Sequence, residues 1–90
     1  MSVSLEKYEH LLFEENDLVY KIRTYQQVIA AIMMLVHERG TNDLHLLTIE
    51  EIITDMHSAE LIHQSELLHL RLAKSVLSNS ITRKLKTTNQ

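Results

Sequence analysis

The chain has 90 residues and a net charge of −3, with no cysteine, no proline and a single glycine. That length allows one domain, and the missing cysteines exclude disulfides and thiolate metal sites together. With almost no backbone punctuation, the composition predicts an all-α chain of three to four helices built around one long central helix.

Taken from its start, the sequence shows no basic flank followed by an apolar core over Met1 to Tyr8, so no signal peptide is expected. Ser2 or Ser4 can cap a first helix with Glu6 in its first turn, and Leu5, Tyr8, Leu11 and Leu12 form a short apolar stripe. Asn16 and Asp17 offer a second capping position. The segment is either a separate helix of about three turns or the start of the main one; two adjacent residues that compete for backbone hydrogen bonds favour the break.

The main helix is expected from Asp17 to Arg39. Leu18, Ile22, Tyr25, Ile29, Ile32 and Val36 alternate spacings of four and three, the seam of a helix that packs lengthwise against another. Val19, Met33, Val28 and Leu35 widen this seam on both sides, beyond what one neighbour covers. So small a chain buries only about 60–65 % of its unfolded surface. The seam is therefore read as the core and dimer interface of a helical-bundle homodimer. The longest apolar run, Val28 to Val36, is far short of the roughly 20 residues that span a bilayer, which predicts no membrane insertion and a cytoplasmic protein.

Gly40 supplies the left-handed residue that ends the helix, with His37 and Arg39 in its last turn. Thr41, Asn42 and Asp43 are turn formers. Leu44, Leu46 and Leu47 make an apolar connection expected to lie across the core. Thr48-Ile49-Glu50-Glu51 reads as a capping box opening the next helix, with Leu47 and Ile52 as its hydrophobic staple and Ile49, Ile52, Ile53 and Met56 as its buried face. At Ser58 a new helix can start. Alternatively the helix continues, since Met56, Ala59, His63, Leu67, Leu70 and Leu77 roughly hold one stripe. Ser78-Asn79-Ser80 is expected to break it, leaving a single helical domain over residues 1–80 and a basic, frayed tail over 81–90.

Charge is unevenly distributed. Residues 1–66 hold all twelve acids and four bases, a net −8, whereas residues 67–90 hold five bases and no acid, a net +5. Arg71, Lys74, Arg83, Lys84 and Lys86 are therefore candidate contacts for DNA or an acidic partner, or for antiparallel self-contact. DNA is the less favoured of these, because the body is acidic and the tail has no aromatic residue. His57, His63 and His69 are six apart, about 120° of rotation each, and cannot share a metal. Glu60/His63 and Glu66/His69 have Glu-x-x-His spacing but lack carboxylates from other helices, so no metal or cofactor is expected. His10 with Glu14 is an ordinary i, i+4 pair. No serine sits in a nucleophile elbow and no Gly-rich phosphate loop exists, so the chain is not expected to be an enzyme.

Gly40, Asn42, Ile49, Ile52, Ile53, Met56, Ile62, Leu67, Leu68 and Leu72, with Val28, Ile32 and Val36 upstream, follow without gaps a pattern that resembles the small enterobacterial biofilm-development regulators of the YmgB/AriR type. The resemblance covers about residues 25–77, and Gly-x-Asn is its only polar element. His57 stands where that family commonly carries an acid, and of its N-terminal aromatic pair only Tyr8 has a counterpart, at a different distance. The resemblance implies a non-enzymatic all-helical homodimer. It would act as a connector on two-component signalling, the Rcs phosphorelay in particular, affecting biofilm, capsule or acid resistance. DNA binding is associated with the family as well. Two other functions fit the residues: a DNA-binding regulator using the basic segment, and a small helical chaperone or anti-regulator that masks a partner helix.

Overall fold

A computed structural model describes residues 3–40 and 42–88, with side chains described through Lys84. It contains two helices, α1 (Val3–Arg39) and α2 (Leu46–Thr88), folded back on each other as an antiparallel hairpin. The molecule is a rod of 72 × 17 × 16 Å. The 43 residues of α2, at a rise of about 1.5 Å each, account for most of that length.

Two helices, and not three to four, is the main correction to the sequence reading. Asn16-Asp17 does not interrupt α1. Asp17 Oδ2 is 3.4 Å from Lys21 Nζ, one turn on, so the carboxylate supports the helix from outside. Ser58 is exposed within α2 and begins nothing. Ser78-Asn79-Ser80 is likewise helical, the Ser78 carbonyl accepting from Thr82 Oγ1 at 3.0 Å, and α2 continues to Thr88, well beyond the expected boundary at residue 80. Without glycine or proline after Gly40, single polar residues do not offset the hydrogen bonds that a continuing helix gains.

The turn is built as expected at one end and differently at the other. Gly40 has φ 64° and donates its N–H to the Val36 carbonyl at 2.8 Å, closing α1 with a left-handed residue. Arg39 Nη1 holds Asp43 Oδ2 at 3.1 Å across the turn. α2 then starts at Leu46, two residues before the expected Thr48 cap. His45 occupies the capping position: its carbonyl accepts from the Ile49 N–H at 3.1 Å, and its Nδ1 lies 2.6 Å from Thr48 Oγ1. The Thr48 hydroxyl is thus engaged by an imidazole and not by the Glu51 amide. The staple is absent for the same reason, since Leu47 and Ile52 are both exposed.

The core is thin. Leu18, Ile22 and Leu67 are its buried residues, with Val19 and Leu70 packed against them. On α1, Tyr25, Ile29, Ile32 and Val36 continue the line half-buried; on α2, so do Ile49, Ile53, Met56, His63, Leu70, Leu77 and Ile81. The seam read from the sequence is real, but the helix it packs against belongs to the same chain. Of the six residues expected to form core and dimer interface, Leu18 and Ile22 are in the intrachain core, because the reversal at Gly40 presents α2 to them, and the other four are half-buried.

Candidate interaction surface

Polar contacts cross between the helices at two places, one at Glu15 and one at Glu60. Glu15, the one polar interruption in the α1 stripe, accepts from Arg71 Nε at 2.8 Å and from Lys74 Nζ at 2.6 Å. Its side chain is only 14 % exposed. Hydrogen bonds from Lys74 and then Arg71 hold its carboxyl below the usual carboxylate range, with burial opposing them. The acid-rich front and base-rich rear of the chain therefore meet within one molecule.

Near the middle of the rod, Glu60 is buried at a core position of α2. Its Oε2 accepts from Gln26 Nε2 at 3.1 Å and Gln64 Nε2 at 2.7 Å, and His57 Nδ1 lies 3.7 Å from Oε1. Next to it, His63 stacks on Tyr25 with centroids 5.6 Å apart. His63 Nδ1 is buried with no hydrogen-bond partner and faces Glu66 Oε1 at 3.5 Å. The histidines thus pair with acids three residues ahead, not with the Glu-x-x-His partners that the spacing suggested. His10 and Glu14 do form the expected i, i+4 pair at 2.6 Å. Among the described residues, no group of three or more His, Asp or Glu could hold a metal ion.

Arg71 and Lys74 turn to Glu15, Arg83 and Lys84 are exposed beyond them, and the Lys86 side chain lies outside the described residues.

What the hairpin presents most is apolar surface. Phe13, Tyr20, Met33 and Met34 on α1 and Leu47, Leu61, Ile62, Leu68, Leu72 and Val76 on α2 are each at least half exposed. Thr24 to His37 contains no charged residue on any side of α1. At the open end of the rod, Val3, Leu11, Ala73 and Leu77 line a shallow groove of about 470 Å³. Sequence periodicity located the wide faces but not which part of them would stay uncovered, because that depends on the rotation of each helix about its own axis. No helix among the described residues is long and apolar enough to cross a membrane.

Comparison with protein-family models, curated proteins and solved structures gives no match.

Proposed function

We propose that the chain is a non-enzymatic regulatory adaptor: a helical-hairpin homodimer that acts by occupying a surface on another protein. The observation that carries this reading is the amount of surface left in water. The chain exposes 7162 Å². A compact monomer of its 10.5 kDa would expose about 5,400 Å². The excess, about 1,700 Å² per chain, is the scale that a permanent protein interface removes.

The uncharged loop-proximal half of α1, with Met33 and Met34 exposed on it, is the surface we assign to the partner protein. Flexible, polarisable methionines suit a contact that must adapt to another protein's shape. The resemblance of residues 25–77 to biofilm-development regulators supplies the process. In this reading the partner is a two-component signalling protein, with the Rcs phosphorelay the first to test, and the site of action is the cytoplasm. DNA reading by the basic segment has less to work with, because Glu15 already engages two of its cations.

The test is a pull-down of the tagged full-length chain from native lysate, paired with its mass in solution. A sensor kinase or response regulator, lost on changing Met33 and Met34 to lysine, is the expected result. A monomer at micromolar concentration, or capture unaffected by the methionine changes, overturns the reading.

A further inference from the structure

Between Ser58 and Thr82 the Asp, Glu, Lys and Arg side chains of α2 are Glu60, Glu66, Arg71 and Lys74, all on the side or flanks nearest α1, with Glu66 and Arg71 about half exposed. Glu60 is buried, Arg71 and Lys74 bond Glu15, and Glu66 lines the groove between the helices beside Leu18 and Lys21. The opposite side of the same stretch carries Leu61, Ile62, Leu68, Leu72 and Val76, between 50 % and 69 % exposed. From Leu61 to Val76 this side runs for about 22 Å, with His69 as its one ionisable group. A helix face meant for water carries charge; this one has no Asp, Glu, Lys or Arg, and only Ser58, Ser65, His69 and Asn79 interrupt its apolar side chains.

Charge returns just beyond each end of that face, with opposite sign. Glu51 is exposed on it at the loop side, and Arg83 is exposed on it at the far side. The face is therefore self-complementary in one orientation only. Laid antiparallel on a second copy of itself, it places Glu51 of each copy beside Arg83 of the other. A parallel pairing would set like charges together.

We propose that this face is the docking site for a second copy of the chain, α2 against α2 and antiparallel, about a two-fold axis beside Leu68. The inference rests on the homodimer reading above and adds the surface and the orientation. Leu68 is at the middle of the uncharged stretch, so an axis there gives the greatest apolar overlap, with Leu61 of each copy against Val76 of the other. An isologous contact of this kind closes as a dimer and does not propagate. Of the α1 residues first read as core and interface, Leu18 and Ile22 are already buried within the chain and Tyr25, Ile29, Ile32 and Val36 are half-buried. The methionine surface of α1 remains available to a different protein.

The test uses full-length chain, by light scattering and far-UV circular dichroism across micromolar concentrations. Wild type is expected at twice 10.5 kDa, and L68E/L72E at half that mass with its helix signal retained. A wild-type dimer that persists in L68E/L72E overturns the proposed face while leaving the homodimer reading intact; a monomeric wild type overturns both. Should L68E/L72E lose its helix, cysteine placement decides, because the chain has none of its own. L68C is expected to form a disulfide-linked dimer under mild oxidation and M34C to stay unlinked; the reverse pattern overturns the proposal. E51R should weaken the dimer and E51R/R83E restore it. Absence of that rescue overturns the antiparallel orientation.

Discussion

Glu15→Gln removes one negative charge while keeping the shape of the side chain that joins the two helices. Glu15 accepts two charge-assisted hydrogen bonds, from Arg71 Nε at 2.8 Å and Lys74 Nζ at 2.6 Å. It is largely covered, while Arg71 is about half exposed and Lys74 about a quarter. A fully exposed pair contributes about 0.2–1 kcal/mol, and breaking a fully buried one costs about 3–5 kcal/mol. This clasp lies between those limits, so the loss should be about 1–2 kcal/mol at pH 7. The pH dependence follows from the direction of the shift. The folded carboxyl titrates below its unfolded value, so its stabilisation is full above the unfolded pKa and is lost as pH falls through the folded one. Urea unfolding of wild type and E15Q at one fixed protein concentration, from pH 7 down to pH 2.5, reads both terms; fixing the concentration separates them from any self-association. The two curves should differ at pH 7 and converge in acid. Equal midpoints at pH 7, or a gap that persists unchanged into acid, would refute this account of the clasp.

Glu60→Leu should leave stability unchanged or raise it by up to about 4 kcal/mol, because a buried carboxylate held only by amides and a histidine at 3.7 Å gives way to a side chain suited to its core position. A lower urea midpoint would show that its hydrogen bonds outweigh its desolvation. Gly40→Ala should cost about 1–2 kcal/mol from the left-handed backbone alone, since a Cβ there meets nothing within 4 Å; Gly40→Asn should cost less, and equal losses would contradict it. Ile22→Ala should cost about 2–3 kcal/mol, the lower part of the range for core truncations because the site is 8 % exposed and backed by only one layer; thermal unfolding measures it. Ile29→Asp/Ile32→Asp should unfold the hairpin outright, since both lie on its intrachain seam, and a folded monomer by circular dichroism and light scattering would show otherwise.

Periodicity found what periodicity can find. The α1 seam, the α2 stripe of Met56, Ala59, His63, Leu67, Leu70 and Leu77, and the Gly40 stop were all legible, because each is a local pattern. The number of helices was not. Asn16-Asp17, Ser58 and Ser78-Asn79-Ser80 each look like a boundary taken alone, yet each sits inside a continuous ladder whose neighbours are good helix formers. The role of Glu15 carried no local signal, because its partners lie 56 and 59 residues away. The start of α2 was misplaced because a histidine is a weak capping signal beside a threonine that fits the capping box. Spacing likewise identifies a face that must be covered, and only the chain's path shows that α2 of the same chain covers Leu18 and Ile22.

The position of the clasp along the rod also bears on how fast the hairpin opens. Contacts near the Gly40 turn join residues close in sequence and form at little entropic cost, so docking of the helices spreads from the turn outwards. Glu15 meets its partners late in that progression. Opening from the free ends must part this ion cluster before it reaches Leu18, Ile22 and Leu67. An interaction formed after the rate-limiting step acts on the unfolding limb of the kinetics, so losing the Glu15 charge should hasten opening and leave the closing rate nearly unchanged.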